Sequence, residues 1–335
     1  MAFNVGLTYD LKTDLKQEGG QPEDINAEFD APETVEMIAE CIEQNEHKVV
    51  RIGHAKSLIA NIAKIKQDVD IVFNICEGVQ GRNREAQAPI ILEMWGIPFV
   101  GADGLTLSLT LDKAMCKKVF IAEGIPTAKY AVVNDASRIN GCCDHLNFPL
   151  IIKPRYEGSS KGLSLRSRVQ NKQDLKKQTD YIISTYHQPA LIEEFIRGAE
   201  FTVAIIGNKQ PEVFAPVQVH IDNDTNLGDR FYTFSFISSG NLGYIYPADI
   251  NDDLKEKLCD LALKVYRAVD CRDFGRVDFR VDEQGQPYVL EINPLPCLAT
   301  ADVFTLISQI RNIPYSQMIG RILNAAIDRH RLTGR

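Results

Sequence analysis

The stretch that decides the fold reads GRVDFRVDEQGQPYVLEIN and spans residues 275–293. Apolar and polar residues alternate on both sides of a glycine-containing turn, which is the pattern of two antiparallel strands in a hairpin. If the hairpin is symmetric about its turn, Asp278 lies opposite Glu291 and Arg276 lies opposite Asn293. Directly opposed residues share one face of a sheet, so the spacing predicts that these four polar side chains converge.

The convergent set has the chemistry of a divalent-cation site. Two facing carboxylates repel each other unless a cation lies between them, and oxygen ligands suit Mg²⁺. We therefore predict that Asp278, Glu291 and Asn293 bind Mg²⁺, with Mn²⁺ as an alternative ion. Arg276 on the same face is predicted to bind a phosphate oxygen or a developing oxyanion. A solvated outer sheet face is the alternative, which the apolar flanking positions disfavour. The residues expected to face the core are Val277, Leu290 and Ile292.

Upstream of the hairpin, the first hundred residues follow a β-α-β-α-β order. Short apolar strands are predicted at 3–9, 48–53 and 70–76, and the first helix is predicted to have Asp30 as its N-cap and Pro32 just inside. This order implies a parallel sheet with right-handed crossovers.

The second half of the chain is richer in strands. With 335 residues, the chain is long for one core and suits two or three lobes around a cleft. The predicted fold class is therefore α/β with α+β character. Strands are predicted at 149–153, 191–195, 201–206 and 212–219, and helices at 252–269 and 315–331.

Composition argues against several classes of partner. The net charge is −8 and no block of Lys and Arg occurs, so nucleic acid is not an expected partner. The N-terminus does not resemble a signal peptide and no segment has the length of a membrane span, so we expect no membrane partner. The eight cysteines include no C-x-x-C pair and the histidines lack zinc-ligand spacing, which favours a cytoplasmic protein with reduced thiols.

A loop of Gly, Ser and Lys at 158–162 follows the apolar strand that ends at Lys153. Glycine allows close backbone approach, hydroxyl and N–H groups donate hydrogen bonds, and Lys161 supplies charge, so the loop is suited to fold over phosphates. It lacks the Walker A pattern. A plain turn leading into a strand at 163–166 is the alternative.

Together these segments resemble the ATP-grasp superfamily, and most closely its D-alanine–D-alanine ligase family. The resemblance covers nearly the whole chain. It is carried by residues 73–74, 77–78, 96–101, 111–113, 153–154, 158–162, 193–196, 198–200 and 291–293. It implies an ATP-grasp fold with two lobes that clasp ATP. The implied units are an N-terminal, Rossmann-like substrate-binding domain at 1–104, a central lobe at 105–193, and a C-terminal lobe with the metal and catalytic residues at 194–335.

The resemblance also implies which residues bind ATP and metal. The two lysines Lys113 and Lys153 match those that reach the phosphates, and the hinge strand around Glu193 matches the segment that reads adenine. The implied ATP-binding residues are Lys113, Lys153, Glu157, Ser159, Ser160, Glu193, Glu194, Ile196, Glu200 and Leu290, with Glu200 on the ribose. The implied metal ligands are Asp278, Glu291 and Asn293, in agreement with the hairpin argument.

Further roles concern catalysis and substrate. Arg276 and the backbone N–H of Cys297 match the oxyanion site, and Glu28 matches the acid that holds the ammonium of the first substrate. The implied catalytic residues are Arg276, Ser159 and Glu28, and the implied substrate contacts are Glu28, Glu77, Tyr232, Cys297 and Asp302. Taken singly, Lys113 reads as a helix-surface lysine, Glu200 as a strand-end carboxylate and Glu28 as a loop charge.

The implied activity is amide bond formation between a small-molecule carboxylate and an amine. Transfer of the γ-phosphoryl group of ATP converts the carboxylate into an acyl phosphate, which the amine attacks. Water must be excluded, and the segments 158–162 and 222–243 are the candidate lids. The family leads us to expect a homodimer.

Four departures from the family pattern concern the substrates. The lid lacks the family's Lys after Phe231 and Tyr232, and Glu77-Gly78 replaces the common His-Gly. Cys297 replaces a glycine, and Asp302 lies in the stretch where the family has a Ser that binds the acceptor's carboxylate. Because an aspartate there would repel a carboxylate, we expect an acceptor other than D-alanine. Either Arg230 or Lys161 is a conceivable substitute for the missing lysine.

Three alternatives stay open at this point. The first is a true D-alanine–D-alanine ligase of cell-wall synthesis that tolerates these changes. The second is an ATP-grasp phosphotransferase that stops at phosphoryl transfer. The third is an inactive nucleotide-binding partner, which would not need the complete polar set of the hairpin.

Overall fold

The computed structural model describes residues 2–14, 22–233 and 240–333. Its first unit is a parallel sheet with the strand order β2-β1-β3-β4, which confirms the sheet predicted from the β-α-β-α-β order. The strands are β1 (Asn4–Tyr9), β2 (Lys48–Gly53), β3 (Ile71–Ile75) and β4 (Phe99–Val100), and the helices are α1 (Pro32–Gln44), α2 (Ala55–Asp68) and α3 (Gln87–Met94).

The start of α1 differs from the prediction by one residue. Pro32 opens the helix as expected, but the N-cap is Ala31, which provides no side-chain cap. Asp30 instead forms an isolated β-bridge with Leu11. Its backbone therefore belongs to the strand-like segment before the helix, and the prediction of Asp30 as the N-cap is wrong.

The central unit is an antiparallel sheet with the order β5-β8-β6-β7. The predicted strand at 163–166 is wrong, because Ser164 caps a short 3-10 turn at Leu165–Ser167 and the strand begins only at Arg168. The elements are α4 (Gly104–Leu111), α5 (Lys113–Ala122), β5 (Tyr130–Val133), α6 (Ile139–Cys142), β6 (Leu150–Pro154), β7 (Arg168–Val169), α7 (Lys172–Tyr186) and β8 (Ala190–Glu194).

The third sheet has the order β12-β11-β9-β13-β14, with β10 paired to β9. The single strand predicted at 212–219 is split, because Pro216 has no N–H to donate to a sheet ladder. The elements are β9 (Gly198–Ile206), β10 (Glu212–Val213), β11 (Val217–Ile221), β12 (Leu242–Ile245), α8 (Asp252–Ala268), β13 (Phe274–Asp282), β14 (Pro287–Asn293), α9 (Val303–Ile310) and α10 (Tyr315–His330).

The hairpin of β13 and β14 has the predicted register at its functional end. Asp278 pairs with Glu291, and the next polar pair along the strands also matches the prediction. A β-bulge then shifts the register, so that Phe279 pairs with Val289. As a result Val289 takes the core position at 0% exposure. Leu290 is only half-buried, and its predicted core position is wrong.

One apolar core joins the first sheet to the C-terminal helices. Phe73 on β3, Phe274 on β13 and Phe304 on α9 belong to the same buried cluster, and α10 packs against α1. The shared core therefore fixes the hairpin relative to the parallel sheet.

Within the described ranges, no helix is both long enough and apolar enough to cross a membrane.

Phe304→Ala tests this core. Phe304 is fully buried and its ring lies 6.2 Å from that of Phe274 in an edge-on arrangement. We expect the truncation to lower the free energy of unfolding by about 3–5 kcal/mol, because it leaves a cavity. Urea unfolding followed by circular dichroism measures the loss. Met94→Ala, at a side chain that is 79% exposed, is the control and should stay within about 0.5 kcal/mol of wild type. Equal midpoints for both variants would contradict this assignment of the core.

Candidate active site

The polar face of the hairpin is built around Asp278. Arg276 donates to both of its carboxylate oxygens at 3.0 Å, from Nε and Nη2. Thr202 on β9 donates from Oγ1 at 2.6 Å, and Asn293 donates from Nδ2 at 2.9 Å. Strand alternation brings these side chains together, as the sequence predicted.

Glu291 completes this face and faces a lysine from the central unit. Nζ of Lys113, the first residue of α5, lies 2.6 Å from Oε2 of Glu291. Burial by itself would raise the pKa of Glu291, but Lys113 and Lys153 outweigh burial and lower it. Lys113 is therefore not a solvated helix-surface lysine, since its side chain is largely buried against Glu291.

The donor set on the hairpin fits a hard divalent cation. Asp278, Glu291 and Asn293 offer only oxygen ligands, which suit Mg²⁺ or Mn²⁺. In the part of the chain that the structure describes, no group of three His, Cys, Asp or Glu residues is placed to hold a metal ion. A metal site on the hairpin would therefore need the Asn293 amide as its third protein ligand.

A second lysine lies beside a buried carboxylate of the hinge strand. Nζ of Lys153, at the end of β6, lies 2.6 Å from Oε2 of Glu193 on β8. Nζ of Lys117 lies 2.5 Å from Oε1 of the same residue. Burial alone would raise the pKa of Glu193, but the two lysines lower it to about 2. The sequence analysis missed Lys117, although its four-residue spacing from Lys113 places both on one face of α5.

Two further residues of the hinge segment, Ile196 and Glu200, contact a buried arginine that the sequence analysis did not single out. Arg280 donates to the backbone carbonyl of Ile196 at 3.1 Å, and its Nη1 lies 3.1 Å from Oε2 of Glu200. Glu194 points elsewhere and accepts from the backbone and side-chain nitrogens of Asn147 at 2.9 Å. The geometry therefore holds Glu200 at the hinge, and it separates Glu194 from Glu193 by strand alternation.

The glycine-serine loop is docked on the segment that contains Glu28. Oε1 of Glu28 accepts from the Gly158 N–H at 2.5 Å, and Asp24 accepts from the Gly162 N–H at 2.7 Å. A Cβ on Gly158 would lie 2.9 Å from Oε1 of Glu28. Close approach of a carboxylate from the protein itself, rather than of a phosphate, thus explains this glycine. The hydroxyls of Ser159 and Ser160, which have positive φ, remain as donors of the loop.

Glu28 is also paired with two cations. Nη2 of Arg84 lies 2.7 Å from Oε1 of Glu28, and Nζ of Lys161 lies 3.2 Å from Oε2. Both cations also contact Glu157, at 3.2 and 2.6 Å. Glu28 is therefore not a solvated loop charge, and Lys161 is held in this cluster. The role of Arg84 was not predicted, since nothing in the sequence pairs it with a residue 56 positions away.

Similarity to known proteins identifies the family of this chain. The family model for the C-terminus of D-ala D-ala ligase matches residues 119–324. A D-alanine–D-alanine ligase of Carboxydothermus hydrogenoformans is 30% identical over 290 residues, which is 84% of this chain and 88% of that protein. The chain belongs to the D-alanine–D-alanine ligase family. It is an enzyme of the ATP-dependent ligase class that acts on small molecules.

Another relative and two solved structures are also similar to this chain. An uncharacterized protein of Sinorhizobium fredii is 35% identical over 261 residues, covering 78% of this chain and 75% of the relative. The D-alanine–D-alanine ligase of Bacillus anthracis, solved in complex with ATP, aligns with a TM-score of 0.74 at 21% identity, covering 99% of this chain and all of that chain. The VanG D-Ala:D-Ser ligase of Enterococcus faecalis aligns with a TM-score of 0.72 at 19% identity, covering 97% and 100%. These structures share the ATP-grasp fold.

Charged side chains also lie around Asp302, where the sequence departs from the family pattern. Nη1 of Arg276 lies 3.7 Å from Oδ1 of Asp302, and the same Asp302 oxygen caps α9 by accepting from the Val303 N–H at 2.6 Å. The hydroxyls of Tyr232 and Tyr244 are 3.0 Å apart. Residues 234–239 of the predicted lid lie outside the described residues. Arg230 is paired with Asp224, so it does not reach the site as a substitute for the lid lysine.

Two further carboxylates lie near Glu28. Burial raises the pKa of Glu77 well above its usual range, and the neighbouring Glu85 adds to the rise. Burial raises the pKa of Glu85 to about 7, with Arg84 opposing the shift. Negative charge at Glu77 and Glu85 is therefore costly without a cationic partner.

Glu85 should make the stability of this ligase depend on pH. Because the folded chain holds the Glu85 proton up to about pH 7, above the ordinary value of 4.5, stability should fall as the pH rises between these values. Glu85→Gln removes this titration, so thermal unfolding should show a smaller loss of Tm between about pH 5 and 8 than in wild type. Glu43→Gln, at an exposed position on α1, should keep the wild-type slope. An unchanged slope in Glu85→Gln would contradict the raised pKa.

Proposed function

We propose that this ligase uses ATP and Mg²⁺ to join an amino acid, through an acyl-phosphate intermediate, to a second amino acid or an amine. The observation that carries the proposal is the convergence of two lysines, one from helix α5 and one from the central sheet, with the polar face of the hairpin. Lys113 faces Glu291 at 2.6 Å, and Lys153 ends the neighbouring strand of the central sheet. Binding alone would not require Arg276 and Asp278 beside them.

The assigned residues divide the chemistry. Lys113 and Lys153 bind the phosphates and balance charge during transfer of the γ-phosphoryl group to the substrate carboxylate. Glu193, Ile196 and Leu290 line the adenine side, and Glu200 binds the ribose. The second amine then attacks the acyl phosphate, and Arg276 with the Cys297 N–H stabilises the oxyanion that forms.

Asp278, Glu291 and Asn293 would hold the divalent cation. When bound, Mg²⁺ neutralises charge on the phosphate oxygens. For the cation to bind, Asp278 and Glu291 must release part of their present contacts with Arg276 and Lys113, which lie at 3.0 and 2.6 Å. The two cationic side chains thereby become available to ATP and to the oxyanion.

The acceptor side favours an amine without a carboxylate next to it. Asp302 places a fixed negative charge 3.7 Å from Arg276, so Arg276 is already compensated by two aspartates. A carboxylate on the acceptor would be repelled by Asp302 and would compete with it for Arg276. Tyr232 and Tyr244 provide aromatic surface beside this charge, which suits an ammonium or amine group.

The first experiment incubates purified protein, ATP and Mg²⁺ with single amino acids and amines and with pairs of them, in D and L forms. We expect ADP release that depends on a carboxylate–amine pair, and a product lighter than the pair by one water. Asp278→Asn should weaken apparent Mg²⁺ affinity by about 10–100-fold or more, since it removes a ligand charge. Glu283→Gln, at an exposed position in the turn, is the control and should match wild type.

Other outcomes of this panel identify the competing functions. Efficient joining of two D-alanines would show a true D-alanine–D-alanine ligase and would overturn the acceptor proposal. ADP with a stable phosphorylated product and no amine requirement would show a phosphotransferase. No stimulation by any pair, with equal ATP binding by Asp278→Asn and wild type, would favour an inactive nucleotide-binding partner.

Asp302→Ser tests the acceptor proposal directly. Removing the carboxylate should free Arg276 for a carboxylate on the acceptor, while the Ser hydroxyl keeps the N-cap of α9. We expect kcat/KM for carboxylate-bearing acceptors to rise about tenfold relative to that for plain amines. Steady-state kinetics with matched acceptor pairs measures the ratio. A ratio equal to that of wild type would show that Asp302 does not select the acceptor.

Two properties of the protein beyond the reaction follow from the same assignment. All eight cysteines are free, and this state fits the reducing cytoplasm, which we propose as the location. The homodimer expected from the family remains a proposal that sedimentation of the purified protein would test.

A further inference from the structure

Glu193 lies between two lysines that differ in their access to the cleft. The Lys117 side chain is 1% exposed and the Glu193 side chain is 2% exposed, whereas that of Lys153 is 12% exposed. Lys117 therefore approaches Glu193 from the interior, and Lys153 approaches it from the side of the nucleotide cleft. Both contacts are short, at 2.5 and 2.6 Å between nitrogen and oxygen.

Burial lowers the pKa of Lys117, but Glu193 opposes this shift and the neighbouring acceptors favour the charged form. Nζ of Lys117 donates to Thr127 Oγ1 at 2.5 Å and to the carbonyl of Ala128 at 3.3 Å, and it forms an ion pair with Glu193. The Thr127 hydroxyl donates its own proton to the carbonyl of Val289 at 2.8 Å, so it can only accept from Lys117. Two hydrogen-bond acceptors and the Glu193 carboxylate therefore surround Nζ, an environment that suits an ammonium better than a neutral amine.

The charges of the three side chains do not cancel. Glu193 is ionised, since the lysines lower its pKa to about 2, and it carries one negative charge against two positive ones. Lys117 has no route to a ligand, because its side chain is 1% exposed and its contacts lie inside the protein. The surplus positive charge is therefore available only on the side of Lys153, where the cleft opens.

We propose that Lys117 is a positioning residue that balances Glu193, so that the charge of Lys153 acts on the phosphates of ATP instead of being neutralised by Glu193. The inference rests on the proposed function in one respect, namely that Lys153 faces the phosphates. Lys117 also links Glu193 to α5 and, through Thr127, to β14. The same contact therefore fixes the hinge strand relative to the hairpin of β13 and β14.

Lys117→Met tests the proposal, because methionine keeps most of the volume and removes the charge. Binding of ATP with Mg²⁺ and of adenosine is measured by titration calorimetry on the purified full chain. We expect the Kd for ATP to rise about tenfold or more while the Kd for adenosine stays within about threefold, since only ATP carries phosphates. Lys118→Met, at the exposed neighbouring position, should bind both as wild type does.

Two further variants separate charge balance from a merely structural role. In Lys117→Met/Glu193→Gln both partners are neutral, so the ratio of the Kd for ATP to that for adenosine should return to within about threefold of wild type. Glu193→Gln alone should leave this ratio equal or shifted in favour of ATP, and it covers the case in which Lys117→Met does not fold. Equal losses of ATP and adenosine binding in Lys117→Met, or a double variant that stays weak for ATP alone, would overturn the proposal.

Failure of the proposed function would look different. If wild type binds neither ATP nor adenosine, the nucleotide assignment itself is wrong and this inference is overturned with it. If wild type binds ATP but Glu193→Gln loses ATP selectively, the nucleotide site stands and only the role of Lys117 is overturned.

Discussion

The structure depends on one constraint: the hairpin places two carboxylates side by side, and their repulsion must be compensated by cations. Asp278 and Glu291 are direct cross-strand neighbours, and like charges in this position are destabilising unless cations compensate them. The compensation comes from different parts of the chain: Arg276 from the same strand and Lys113 from the start of α5. The central unit and the hairpin thus meet at a site where the charges are compensated.

Ion pairs of this kind are retained for geometry more than for stability. The desolvation of two charges offsets much of their attraction, so replacing such a pair by apolar residues is often neutral. In this ligase the pairs hold charged groups at the cleft in fixed positions. The same holds for the buried pair of Lys117 and Glu193. Because the charges of this pair cancel, Lys153 is left as the charge that faces the cleft.

The first-substrate side shows how the same constraint ties units together. Glu28 accepts from the backbone of Gly158 and pairs with Arg84 and Lys161, so the glycine-serine loop is attached to the N-terminal unit by a network of charges. Glu157 contacts the same two cations. In this region the cations and carboxylates are already paired with each other. The charge of a substrate that binds here must therefore be complementary to the remaining carboxylates.

The sequence by itself determined the parallel sheet, the hairpin and its functional register, because alternation and apolar runs are local patterns. It also determined that Asp278, Glu291 and Asn293, the predicted metal ligands, share one face, since they lie within one supersecondary unit. It did not determine the bulge that moves Leu290 out of the core, the partner of Glu28, or the role of Lys117. These depend on residues far apart in the chain, whose distances are decided only when the lobes pack on their shared core.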